Sequence, residues 1–433
     1  MNLFEEYIER YTKRVEKIDA APSATMLHSN RTLYELLRRR HETMLKEWRA
    51  GKPSCITADA APYDLIEAMG MRAYSWEMAG DFLMRRFVPE YLRRIRATGF
   101  PDYGCDRVQL AASFIQAADA GEVPKPDCVC VTRADCNGMT EAMIWAGRHF
   151  DVPTVVIDCP LTTHVPFEER WEALQYVVEQ FHDMIRLFEK EISGVKYDEG
   201  KLIESLEIYQ QSRKYQAKFR ELLKVKPCPV LGRDAGRMPP LDIVGDPLVV
   251  QYYREAAEEI EERVKAGIGA IKEEKARAGF LSSFPFFADG FAPLEERGVA
   301  CPYYEVGPGA LPVPTLEDEG TWGRKLSPIE CQAAFPLSDP WLGTWQRRYE
   351  DVREACIDLD IDGLVHYAMP GCVTNNGNGR ILAKKLEEEL GVLSLEIQYH
   401  CQDEASFNEA EYAEKMHEFA ELLIQRKQSK AKK

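Results

Sequence analysis

Apolar positions recur along this chain with two distinct periods, and the change of period divides it. In residues 1–50, Leu3, Tyr7, Tyr11 and Val15 fall on one helical face, and Leu33, Leu36, Leu37, Met44 and Leu45 fall on another. Two amphipathic helices are expected there. From Ser54 the pattern turns to short apolar runs alternating with helical stretches. Cys55-Ile56-Thr57, residues 128–132 and residues 154–158 read as buried strands, with a helix over 139–150 between the last two. Long helical patterns cover 167–192 and 201–225. A Pro- and Gly-rich stretch at 226–246 reads as a connector, and a further helix covers 247–275. Strand runs then return at 279–283, 299–303, 363–367 and 393–397, with helices at 341–359, 380–390 and 408–425 and a basic tail expected to fray. The expected organisation is an N-terminal helical segment (1–50), a first α/β domain with long helices (51–225), a connector (226–246) and a second α/β domain (247–433).

Composition narrows the function classes. The 433 residues carry 55 Lys+Arg against 71 Asp+Glu, a net charge of −16, which disfavours a general nucleic-acid partner. Partners on an anionic membrane surface are disfavoured equally. There is no apolar run of the ~18 residues that a membrane span needs, and the first residues form an acidic amphipathic pattern without a signal-peptide core. A cytoplasmic location is expected.

Twelve cysteines are the informative excess. In a reducing compartment they stay thiols unless they hold metal or do redox chemistry, and most serve as small buried hydrophobes. Cys128 and Cys130 alternate along a strand and fit that role. Three others stand where such a fold places chemistry, two of them outside the carboxyl ends of strands, where open α/β sheets bind ligands. Cys136 and Cys372 each follow a strand, one per half, and Cys105 heads a helix, where thiolate is favoured over thiol. Three convergent thiolates from separate loops suit an iron–sulfur cluster with one open iron better than zinc, since no Cys-x-x-Cys or clustered His pair is present. Spacing alone is a weak signal, and three unconnected loop cysteines are the stronger reading from it.

The cysteine contexts carry a resemblance. Pro126-Asp-Cys-Val-Cys-Val-Thr-Arg-Ala-Asp-Cys136-Asn-Gly-Met-Thr, the following His149-Phe-Asp-Val-Pro-Thr-Val-Val-Ile-Asp-Cys-Pro160, His366-Tyr-Ala-Met-Pro-Gly-Cys372 and the helix after Phe407 resemble the 2-hydroxyacyl-CoA dehydratase/benzoyl-CoA reductase family, from about residue 52 to the last helix. The resemblance implies two Rossmann-like (flavodoxin-like) domains of parallel sheet with a [4Fe–4S] cluster between them. Carried over, its ligands are Cys105, Cys136 and Cys372. It also implies a paralogous subunit in a heterodimer, an ATP-dependent activator iron–sulfur protein that delivers one electron, and an acyl-CoA substrate dehydrated through a ketyl radical. An unactivated β-hydrogen is too weak an acid for a protein base, so a cofactor carries that step.

Alternatives within the family are a benzoyl-CoA-reductase-type subunit, a double-cubane reductase in which Cys159, Cys331 and Cys401, read as loop residues, join a larger cluster, and an electron-relay subunit. The relatives' acidic-Asp-Pro-Arg-type sequence after the last strand is replaced here by Glu396-Ile-Gln-Tyr-His-Cys401-Gln-Asp. Thr57 and Asp59 are candidates for substrate contacts, or else turn residues capping the helix near Pro62. Arg38 to Arg40, Arg107 and Arg133 are candidate donors to the phosphates of CoA, or else partners of neighbouring acids. His366 and His400 are expected to be structural, and residues 374–379 to shape the turn at Cys372.

Overall fold

The computed structural model describes residues 2–23, 25–58, 60–134, 136–160, 167–243, 245–306, 315–317, 322–338 and 345–431. Among the described residues, eight strands form two sheets of four. The first holds β1 (Ser54–Thr57), β2 (Arg72–Ser75), β3 (Cys128–Arg133) and β4 (Thr154–Asp158). The second holds β5 (Ala276–Leu281), β6 (Val299–Tyr304), β7 (Gly363–Ala368) and β8 (Leu393–Gln398). The spatial orders are β2-β1-β3-β4 and β6-β5-β7-β8, and every neighbouring pair is parallel. The expected pair of Rossmann-like sheets is therefore present, each half repeating one topology. In both, the chain first winds to one side and then to the other, so a crevice opens at the switch between the first and third strands.

The strands alternate because both faces are covered. In the first sheet Ile56, Val129 and Val131 point into one apolar cluster with the N-terminal helices, while Cys55, Cys128, Cys130 and Ile157 point into another. Cys128 and Cys130 are fully buried, as core packing requires. β2 escaped sequence reading because Arg72-Ala-Tyr-Ser is short and carries no apolar run. β6 tolerates Pro302 because it is an edge strand, where a missing amide donor leaves no ladder bond unmade.

The N-terminal pair is Leu3–Ala20 and Asn30–Arg49, burying the expected Leu3, Tyr7, Tyr11 and Val15. The connector straps it down. Asp234 accepts the Leu27 amide at 3.0 Å and the Asn30 side chain at 2.9 Å, and Asp242 pairs with buried Arg40. Three expectations are corrected. The helix from Pro247 ends at Lys265 rather than 275. A helix unseen in the sequence, Pro328–Leu337, returns from the second half to cover the first sheet, so Cys331 is a buried helical residue and not a loop thiol. The described part of the basic tail does not fray: the last helix runs Glu409–Ala431, and Lys427 is held by Asp362 at 2.6 Å, while residues 432–433 lie outside the described residues. Of the expected helix 341–359, residues 341–344 lie outside the described residues, and the rest forms Trp345–Asp358.

Candidate active-site cleft

Cys105, Cys136 and Cys372 each occupy the residue just before a helix: Asp106–Asp119, Asn137–Phe150 and the single turn Val373–Asn376. The chain leaves β3 and β7 at their carboxyl ends and must turn into those helices, and the cysteines are the turning residues. Cys136 accepts the Met139 amide at 3.4 Å, so its sulfur faces the positive end of its helix.

The loops of Cys105 and Cys372 meet across the two sheets. Gly371 has a left-handed φ of 75°, and a Cβ there would lie 2.5 Å from the Cys105 nitrogen and 2.6 Å from the Gly104 carbonyl carbon. Only glycine permits this approach. The two thiols hydrogen-bond, and that bond, with burial, pushes the Cys105 thiol well above its ordinary range. Cys136 and Cys372, half-buried, pack on the edge of the apolar cluster that contains Cys105. Among the described residues, no three His, Cys, Asp or Glu side chains stand at metal-binding spacing. The donor set nevertheless has the chemistry a cubane needs: two thiols in contact and a third on the same cluster, each at a helix start.

Asp106, adjacent to Cys105, locks this junction. It is fully buried and accepts the amides of Gln402 and Asp403 at 2.6 and 2.9 Å, from the loop after β8. His400 Nδ1 lies 3.7 Å from it and Cys401 Sγ 3.6 Å. Burial pushes the Asp106 carboxyl up, but His400 and the two amides outweigh it and leave the group below its ordinary range. Arg96 adds a bond to Asp403 at 2.9 Å, and Gln402 reaches the Asp81 carbonyl at 2.8 Å. The loop after β8 is thus the strap between the two halves.

Within electrostatic reach of Cys372, past the carboxyl ends of β5 and β6, Arg348 and Glu305 form a buried two-pronged pair at 2.6 and 2.8 Å. Ser282, at a left-handed φ of 72°, gives its amide to Glu305 at 2.7 Å and receives Arg348 on its hydroxyl at 3.0 Å. A non-glycine residue held in that conformation marks a site the surroundings over-determine.

The other sequence candidates separate. Thr57 ends β1, fully buried, and among the described residues no partner is seen for its hydroxyl; Asp59 lies outside the described residues. Arg38 is bound by Glu35 and Glu42, Arg40 by Asp242, and Arg107 by Asp81 and Glu77, all three engaged by acids rather than turned to a ligand. Arg133 is exposed and reaches Asn137 at 3.4 Å. His366 is buried, its ring against Gly379, where a Cβ would fall 1.9 Å away. Asn376 bonds the Met369 carbonyl at 2.6 Å, so residues 374–379 shape the cysteine turn as expected. Cys159 and Cys331 are buried in the cluster on the far face of the first sheet, whereas Cys401 lies within electrostatic reach of Cys105. Sequence reading missed Asp106 and Gly371, though both adjoin flagged cysteines. It had no signal for Arg348 and Glu305, which are 43 residues apart.

A two-sheet α/β protein with cysteines gathered at the junction of its halves is the class this geometry defines. The chain belongs to the 2-hydroxyglutaryl-CoA dehydratase, D-component family, whose model matches residues 60–423. It is 24% identical over 378 residues to the (R)-phenyllactyl-CoA dehydratase alpha subunit of Clostridium sporogenes, covering 85% of this chain and 89% of that one. It is 26% identical to the (R)-2-hydroxyglutaryl-CoA dehydratase subunit alpha of Acidaminococcus fermentans, over 72% of this chain and 63% of the relative. One polypeptide of the benzoyl-CoA reductase of Thauera aromatica matches at 22%, over 72% and 73% of the two chains. No described helix is long and apolar enough to cross a membrane.

Proposed function

We propose that the chain is a lyase subunit that removes water from a 2-hydroxyacyl-CoA, with Cys105, Cys136 and Cys372 holding a [4Fe–4S] cluster at the junction of its two halves. The observation that carries the reading is the contact of the Cys105 and Cys372 loops through Gly371, in a member of a dehydratase family. When bound, such a cluster supplies one electron at low potential, received from an ATP-dependent activator, for reduction of the thioester carbonyl to a ketyl.

The chain's own residues do the rest. The helix start at 137, whose Met139 amide donates to the Cys136 sulfur, favours anionic sulfur there. Asp106 and the loop after β8 fix the distance between the halves, and the apolar cluster around Cys105 keeps water from the thiolates. Thr57 offers a buried hydroxyl at the carboxyl end of β1 for a substrate oxygen, with Asp59 beside it in sequence. Tyr103 and Val373, 82% and 84% exposed, flank the two cysteines and leave an apolar rim that a paralogous partner subunit would cover.

Anaerobic purification with the co-expressed paralogue tests this. Iron and sulfide near four per chain and a dimer by size exclusion are expected, and Cys136→Ala should remove most of the iron while Cys356→Ala leaves it. Protein that stays free of iron after reconstitution would sink the cluster. A benzoyl-CoA reductase activity without dehydration would favour the reductase reading.

A further inference from the structure

Where the N-terminal helix pair meets the connector, three hydrogen-bond donors converge without an acceptor among the described residues. Tyr34, on the helix Asn30–Arg49, is 7% exposed, and its ring stacks on Tyr11 at 6.2 Å. Its phenol oxygen accepts Arg14 Nη1 from the helix Leu3–Ala20 and Arg237 Nη1 from the connector, each at 2.8 Å. Both guanidinium carbons lie over the Tyr34 ring, 4.9 and 5.7 Å from its centre. A guanidinium carries five N–H donors, and each spends one here. Among the described residues neither side chain makes another hydrogen bond or an ion pair. Asp234, the carboxylate in electrostatic reach of Arg237, is taken up by the Leu27 amide and the Asn30 side chain. The Tyr34 hydroxyl, with two donors already on its oxygen, likewise has no acceptor for its own proton among the described residues. Burial pushes the Tyr34 phenol up, but the two guanidiniums outweigh it and hold it below its ordinary range. In a chain of net charge −16, where Arg38, Arg40 and Arg107 are all engaged by acids, this pair of cations is uncompensated.

The arrangement is built into the backbone around it. The Arg237 carbonyl accepts the Tyr252 hydroxyl at 3.3 Å, and the neighbouring Gly236 packs so close to the second sheet that a Cβ would lie 2.9 Å from the Tyr304 ring. We propose that Arg14, Arg237 and the Tyr34 hydroxyl bind a phosphate dianion, free or as a monoester. Two positive charges meet two negative ones, and the phenol proton takes a third oxygen. A carboxylate brings one charge and two oxygens, which leaves one cation and one donor unmatched. Bound there, the anion ties the first helix to the segment that joins the two halves. The site draws on none of the residues of the cysteine junction, so it holds whether or not the chain carries a cluster.

Titration calorimetry at constant ionic strength, on the anaerobically isolated protein, tests this with inorganic phosphate, glycerol phosphate and acetate. One phosphate per chain is expected. Arg14→Gln, Arg237→Gln and Tyr34→Phe should each weaken it about tenfold or more, since each removes a hydrogen bond to a charged group. Arg254→Gln, at an exposed position on the helix Pro247–Lys265, should leave it unchanged. Phosphate should also raise the melting temperature of the wild type and not that of Arg237→Gln. Binding of inorganic phosphate alone, or of glycerol phosphate as well, supports the site and tells the free anion from an ester. Acetate binding as tightly as phosphate, no saturable binding to the wild type, or an equal loss in Arg254→Gln would overturn it. Where an arginine variant fails to fold, the wild type decides. The phenolate absorbance of Tyr34, taken as the difference from Tyr34→Phe, should move to higher pH with phosphate bound, because a neighbouring anion favours the protonated phenol. An unmoved titration overturns the proposal.

Discussion

Replacing Gly371 by alanine puts a methyl group where the two halves of the molecule touch. Its Cβ would lie 2.5 Å from the Cys105 nitrogen and 2.8 Å from the Gly104 Cα. Ordinary contact begins at 3.4 Å, so the loops must part by 3.4 − 2.5 = 0.9 Å. Backbone on both sides leaves no flexible side chain to give way. The left-handed φ adds about 1–2 kcal/mol for a residue with a Cβ, and forced overpacking about 1–3 kcal/mol. The sum, about 2–5 kcal/mol, corresponds to a melting-point drop on the order of 2–6 °C in a protein of this size. Gly99 supplies the control: its φ is 86°, but nothing lies within 4 Å of its Cβ position. Gly99→Ala should therefore show the conformational cost alone. Differential scanning calorimetry of the two variants isolates the contact cost, and anaerobic iron analysis shows whether parting the loops separates the thiols of Cys105 and Cys372. Equal melting points for the two variants, with iron retained in Gly371→Ala, would refute the argument that this glycine sets the junction.

Asp106→Ala should leave the Gln402 and Asp403 amides without their buried acceptor. A loss of about 3 kcal/mol in denaturant titration is expected, with faster hydrogen exchange at residues 402–403; unchanged exchange there would refute the strap. Arg348→Met strands the Glu305 charge in the interior and should cost about 3–5 kcal/mol. Adding Glu305→Gln should recover much of that, and a double variant no more stable than the single one would contradict it. Burial pushes the Glu295 carboxyl up to about 7, although the Gly232 amide donates to it. The folded state then holds a proton that the unfolded state releases, so stability falls as pH rises from about 4.5 to 7. Glu295→Gln keeps the acceptor and should stabilise the protein by about 3 kcal/mol at pH 8, with no gain at pH 4; a gain independent of pH would rule this out.

The chain's own pattern determined the two α/β halves, the N-terminal helix pair and the two strand-end cysteines, because burial on both faces of a parallel sheet forces apolar runs of fixed length, and those runs are local. Cys136 and Cys372 were legible for the same reason: each lies a few residues past a strand, where the fold puts its turns. β2 was not legible, since Arg72-Ala-Tyr-Ser is buried by neighbours rather than marked by its own composition. The helix Pro328–Leu337 was missed because its partners lie on the first sheet, far away in sequence. Only the tertiary structure decided that Gly371 fits against Cys105, that Asp106 holds the loop after β8, and that Arg348 pairs with Glu305. Each of those is a close contact between segments tens or hundreds of residues apart. Its energy comes from excluded volume and from charge removed from water, and neither leaves a periodic trace in the sequence.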